Sequence, residues 1–230
     1  MDMKYRYWDS PETEEIVRKT YDAQLKIIDD IKNDKELGKL ALEILYTVTY
    51  CNLRDLPLLT FYSSATTHHN NLYGGVDLHT LYELYDEPFE DAEDLLMASF
   101  DLLVKYQLVD CYKNGVIQVL SMHQVTRSNI QLMLKEQGIE EEVLKKAISV
   151  LSRFLSELKY SLDDKDEGAG FFSFIEGIIP YACSNAQHVL YHAEEYKELN
   201  KYCEKEKLEL LIDYFVAARL YQKHSITIHH

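Results

Sequence analysis

The chain has 230 residues, with 39 acidic and 24 basic side chains and a formal net charge of -15. This length allows one large or two small domains. The negative charge argues against binding to a nucleic-acid duplex or an anionic membrane surface, because both need a basic face. With only eight glycines and four prolines, the composition favours a mostly helical protein.

The N-terminal residues and the cysteines both favour a cytoplasmic protein. The N-terminus lacks the apolar segment of a signal peptide, and no run of about 18 apolar residues predicts a membrane span. The four cysteines are widely separated and have no C-x-x-C spacing, at Cys51, Cys111, Cys183 and Cys203. We therefore expect reduced thiols and no zinc site.

Two helices are predicted in the first fifty residues. Ser10 and Pro11 are typical of a helix start, because serine caps the first turn and proline fits the first helical position. Apolar residues at helical spacing extend from there to about Lys32 and predict a helix that docks on the rest of the chain. A second apolar pattern predicts a helix over residues 35–50.

Shorter elements are predicted in the next thirty residues. Asp55 as a cap and Pro57 near the first turn predict a short helix over residues 58–62. The polar residues 63–75 end in two glycines and predict an exposed loop. Residues 77–85 then predict another short helix.

A helix followed by a hairpin is the strongest pattern in the chain. Residues 90–107 have apolar side chains at helical spacing, and two β-prone stretches follow over residues 108–112 and 116–120. Asn114-Gly115 lies between these stretches, and Asn-Gly is the strongest short-range signal for a β-hairpin. Helices followed by a two-stranded wing predict a winged-helix domain, which we place at residues 12–137.

The remaining residues predict an α-solenoid with tetratricopeptide-like helices. A helix over residues 122–137 ends at Gly138, and a second helix is predicted over residues 139–158. After an acidic linker at about 159–170, a long antiparallel pair is predicted, at residues 171–196 and 204–222. The helical repeat-like region thus covers residues 139–222.

Several short stretches resemble one family, the NB-ARC-type signal-transduction ATPases. Residues 102–108, a wing, and then residues 121–125 resemble that family's winged-helix segment, which reads approximately K-Y-S-L-L, wing, S-M-H-R-L-V-Q. Residues 178–182 resemble the L-P-H-A helix at which the family's tetratricopeptide-like repeats begin. The similar stretches occur in a consistent order over about residues 12–222.

The resemblance implies a nucleotide-sensing histidine. In the family, the histidine of a Met-His-Asp motif contacts the β-phosphate of ADP that is bound to the neighbouring nucleotide-binding domain. The matching residues are Met122 and His123, while Gln124 stands where the motif has aspartate. Histidine suits this role because a ring N–H can donate to a phosphate oxygen.

The resemblance also implies a module without catalytic activity of its own. The chain has no G-x-x-x-x-G-K-[ST] phosphate-binding loop and no visible catalytic cluster, so ADP or ATP is expected only where an ATPase core is supplied in cis or in trans. The implied function is to couple the nucleotide state of that core to a helical platform. Protein partners are expected at the C-terminal helices.

Two other functions remain open. A stand-alone helical scaffold for protein–protein interaction would need no nucleotide at all. A winged-helix regulator would read DNA with residues 91–107, but that helix is acidic, with Asp91, Glu93, Asp94 and Asp101, which disfavours contact with phosphates.

His188 and His192 are the only other histidine pair at a chemically suggestive spacing. Side chains four residues apart share a helix face and can hold a metal ion. No H-E-x-x-H motif and no third ligand accompany them, so we predict a solvated or partly buried helix face and no metal site.

Overall fold

The computed structural model describes residues 11–35, 37–51, 56–61, 92–114, 117–163 and 169–194, together with Tyr196, Glu209, Ile212, Asp213 and Val216. The helices are α1 (Pro11–Lys32), α2 (Gly38–Tyr50), α3 (Ala92–Lys105), α4 (Gln124–Glu136), α5 (Glu140–Asp163) and α6 (Ala169–Ala193). The strands are β1 (Leu56–Pro57), β2 (Asp110–Asn114) and β3 (Ile117–Ser121). The prediction of a mostly helical protein with a short hairpin is confirmed. Within these described ranges, no helix is long and apolar enough to cross a membrane.

The strands form a small antiparallel sheet in the order β1-β3-β2. The predicted hairpin is confirmed by the pairing of Asp110 with Ser121 and of Asn114 with Ile117. The predicted short helix at 58–62 is partly wrong, because Pro57 belongs to β1 and a 3-10 turn follows at Leu58–Phe61. Since β1 is an edge strand, the missing N–H of Pro57 is tolerated there.

Helix α1 docks on α4 through polar side chains. The Gln24 amide donates to the Thr126 hydroxyl over 2.9 Å and accepts from the Asn129 amide over 2.7 Å. The Tyr21 hydroxyl donates to a Glu136 carboxylate oxygen over 2.7 Å. Burial and this carboxylate raise the pKa of Tyr21 to about 12, so the phenol stays a donor at neutral pH.

One hydrophobic cluster joins the two predicted domains. Its buried side chains extend from Ile28 on α1 to Ile212, and α2 packs against α1, α3, α4, α5 and α6. Gly138 follows α4 with φ +70°, which confirms it as the glycine that ends this helix. The division at residue 138 into two domains stays a prediction.

The region predicted as a linker is helical at both of its ends. Helix α5 continues to Asp163 and α6 begins at Ala169, so the predicted linker at about 159–170 is too long. The predicted loop at 63–75 and helix at 77–85 lie outside the described residues. The same holds for most of the helix predicted at 204–222.

Gly38 marks a close approach between the start of α2 and the end of α1. A Cβ atom at this position would lie 2.0 Å from the backbone oxygen of Ile31. We therefore expect Gly38→Ala to lower the free energy of unfolding by about 1 to 3 kcal/mol, as overpacking does. Urea unfolding of the purified protein measures this change.

Gly177 provides the matched control for this prediction. It lies within α6, and the nearest atom to an added Cβ is Ile117 Cδ1 at 3.6 Å, an ordinary contact. Gly177→Ala should therefore raise stability by about 0.5 to 1 kcal/mol through helix propensity. If both substitutions changed the free energy of unfolding equally, the backbone before α2 would move away from the added Cβ at little energetic cost.

Candidate functional site

His123 lies at the N-terminus of α4 and caps it. Its side chain is exposed, and its Nδ1 accepts the backbone N–H of Val125 over 3.2 Å. Because Nδ1 accepts, the neutral ring carries its proton on Nε2. The cap therefore leaves an N–H donor at the ring atom that does not contact the helix.

Met122 has a different position from His123. It is buried, and its sulfur lies 3.9 Å from the hydroxyl of Thr49 on α2. The structure thus brings only one of the two predicted residues to the surface. Met122 fixes the segment that enters α4, and His123 is the residue that a ligand can reach.

Arg127 lies one turn further along α4 and points into the protein. Its backbone N–H donates to the carbonyl oxygen of His123 over 3.0 Å, and the residue is only 6% exposed. Its Nη2 donates to Nε2 of His188 and to Nε2 of His192, the latter over 3.1 Å. We call these three residues, Arg127, His188 and His192, the Arg–His cluster.

The arginine fixes the protonation state of both histidines. A guanidinium group can only donate hydrogen bonds, so each Nε2 must accept and each neutral ring carries its proton on Nδ1. Burial and the charge of Arg127 lower the pKa of His188 and of His192 to about 4. The two rings lie 5.0 Å apart between centroids.

The positive charge of Arg127 lies among neutral side chains. Among the described residues, no carboxylate is close enough to Arg127 to form an ion pair. Burial lowers the pKa of Arg127, while the nearby Cys51 and Tyr50 act in the opposite direction. Burial raises the pKa of Cys51 to about 12, so its thiol is protonated and unsuited to nucleophilic catalysis.

A second polar contact lies next to the Arg–His cluster. The Tyr50 hydroxyl donates to Glu140 Oε1 over 3.0 Å, and the Tyr196 hydroxyl donates to Glu140 Oε2. The ring of Tyr50 also meets His192 edge-on at 5.5 Å. Helices α2, α4, α5 and α6 therefore converge where the chain leaves α6.

The sequence prediction found His188 and His192 but not their partner. They are half-buried, as the predicted helix face allows, and no group of three or more potential metal ligands occurs among the described residues. Arg127 has one unusual property in the sequence, a positive charge near a helix N-terminus, which the helix dipole disfavours. That signal could have marked it as a residue with a tertiary role.

Comparisons with protein families, with curated proteins and with solved structures find no match to this chain.

Proposed function

We propose that the chain is a regulatory module of an NB-ARC-type ATPase, without catalytic activity of its own, that couples nucleotide state to a helical platform. The observation that carries this proposal is the first turn and a half of α4. His123 is exposed at the helix start, and Arg127, one turn later, holds His188 and His192 of α6. The N-terminal end of α4 thus connects an exposed hydrogen-bond donor, His123, to α6.

The chain order around the sheet supports a winged-helix domain. In that fold a hairpin follows the third helix, and a short strand that precedes the second helix completes the sheet. Here β1 lies between α2 and α3, the hairpin follows α3, and β3 lies between β1 and β2. On this proposal α2 is the first helix of the fold, the helix predicted at residues 77–85 is the second, and α3 is the third. On this proposal α5 and α6 begin a tetratricopeptide-like array, which would bind protein partners.

The chemistry of the α4 N-terminus supports recognition of a phosphate. A helix N-terminus carries a partial positive charge and attracts anions. The Nε2–H of His123 adds a donor there, and Arg127 adds a full charge one turn deeper. The helix N-terminus and His123 would bind the β-phosphate of ADP that is held by a separate nucleotide-binding core, while the buried Arg127 keeps its contacts with His188 and His192.

The coupling would pass through the backbone of α4. A phosphate that holds His123 also holds the first turn of α4, because the cap and the N–H of Arg127 both belong to that turn. The position of Arg127 then determines where His188 and His192 lie. Loss of the phosphate would therefore loosen the contact between α4 and α6.

His123→Asn is the variant that tests this function most directly. Asparagine keeps a side-chain oxygen for the helix cap but removes the Nε2 donor. Mixed with a separately expressed NB-ARC core, the wild-type chain should slow the release of fluorescent ADP. The variant should release ADP at least about tenfold faster, since a hydrogen bond to a charged group contributes about 1.5 to 3 kcal/mol.

Gln124→Ala provides the control, because Gln124 is exposed and adjacent to His123. It should leave the ADP release rate unchanged. If the wild-type chain fails to slow ADP release, or if the Asn variant matches it, the nucleotide-sensing role is wrong. A stand-alone scaffold would then be the better description, supported by the single core that joins both halves of the chain.

A further inference from the structure

The Arg–His cluster depends on two neutral histidines. Each Nε2 accepts a hydrogen bond from Arg127, and an imidazolium ring has two N–H donors and no acceptor. Protonation of either ring therefore removes its hydrogen bond to Arg127. It also places a second positive charge against a guanidinium group that is only 6% exposed.

Among the described residues, no carboxylate raises the pKa of either histidine. The titratable groups around the cluster are Tyr50 of α2, which meets His192, Cys51 just after α2, which acts on Arg127, and Tyr191 of α6, which meets His192. The carboxylate of Glu140 on α5 accepts from the hydroxyls of Tyr50 and of Tyr196. Unlike Arg127, it does not contribute to the pKa shift of either histidine.

We propose that the Arg–His cluster is an acid-sensitive latch, in which uptake of protons by His188 and His192 releases the end of α6 from α4. The latch needs neither nucleotide nor an ATPase core, so it is independent of the function proposed above. Released α6 would expose the apolar face that now packs against α2 and α5.

The direction of the pH effect follows from linkage. In the released state the two histidines titrate near their ordinary pKa of about 6.5, whereas in the latched state their pKa is about 4. The latch is therefore fully formed above about pH 6.5 and weakens as the pH falls toward 4. Because release takes up two protons, the equilibrium constant for release rises by up to ~100-fold for each unit by which the pH falls.

Hydrogen exchange of the intact chain tests the latch. Peptides from the second half of α6 should lose about 100-fold or more of their protection between about pH 7 and pH 5, after correction for intrinsic exchange rates. Peptides from α3 provide the internal reference, because α3 contributes no residue to the Arg–His cluster. No change in α6 protection over this range would overturn the proposal.

The variant His188→Gln/His192→Gln separates the latch from general acid sensitivity. The amide oxygen of glutamine can accept from Arg127 in place of Nε2 but takes up no proton. The double variant should keep α6 protected at both pH values. Each single variant still has one histidine that takes up a proton, so the logarithm of its protection factor should fall about half as far as in the wild type. If the glutamine variants lose protection as the wild type does, the histidines are not the sensor.

Discussion

Arg127→Met is expected to lower the free energy of unfolding by about 2 to 4 kcal/mol near pH 7. Methionine preserves much of the apolar stem but leaves Nε2 of His188 and of His192 without a donor. Each buried acceptor that loses its partner costs about 1 to 3 kcal/mol. Removing a buried charge offsets part of this loss, since the guanidinium no longer has to be desolvated. Urea unfolding followed by circular dichroism measures the difference.

The triple variant Arg127→Met/His188→Leu/His192→Leu distinguishes a polar contact from a packing contact. Replacing a whole buried polar group by apolar side chains is often neutral or stabilising. The triple variant should therefore recover most of the stability that Arg127→Met loses, and its α6 helix should no longer respond to pH. An Arg127→Met protein as stable as the wild type would mean that the Arg–His cluster contributes only packing.

Local signals explain which parts of the fold were predictable. The bounds of α1 follow from Pro11 and from an apolar stripe that ends near Lys32, and the hairpin follows from Asn114-Gly115. Each of these signals lies within a few residues of the element that it predicts. They are therefore present in the sequence without knowledge of the tertiary fold.

Strand β1 shows why other parts were not predictable. Leu56 and Pro57 look like the start of a helix, but they pair with Leu120 and Val119, more than sixty residues away. The burial of Leu56 against β3 stabilises the strand more than the short-range preference stabilises a helix. Such a long-range competition has no periodic pattern that a single sequence can reveal.

The candidate site likewise contains residues that the sequence predicted and a contact that it did not. His123 and Met122 were predicted from the family resemblance, because the residues that resemble the motif are contiguous, and their role stays a prediction. His188 and His192 were found as a pair because one helix spaces them four apart. Their contact with Arg127 joins α4 to α6 across 61 and 65 positions in the sequence, so it depends on how the two helices pack.

Phe100→Ala is expected to cause the other large loss of stability, about 3 to 5 kcal/mol. Phe100 lies on α3 and is 2% exposed. Its ring meets Phe61 edge-on, with 5.6 Å between centroids and 70° between planes. The ring pair ties α3 to the 3-10 turn after β1, so truncation leaves a cavity and also removes an aromatic contact. Urea unfolding near pH 7 measures the loss.

Phe100→Leu provides the volume control, and it should lose about 1 to 2 kcal/mol because a leucine side chain refills much of the cavity. Among the described residues, Phe100 takes no part in the hydrogen bonds or ring contacts of the Arg–His cluster. Phe100→Ala should therefore lower stability on both sides of pH 6 while α6 keeps its full response to acid. If Phe100→Ala instead removed that response, α3 with the small sheet and α6 would unfold as one unit, and the acid sensitivity would belong to the whole core and not to three side chains.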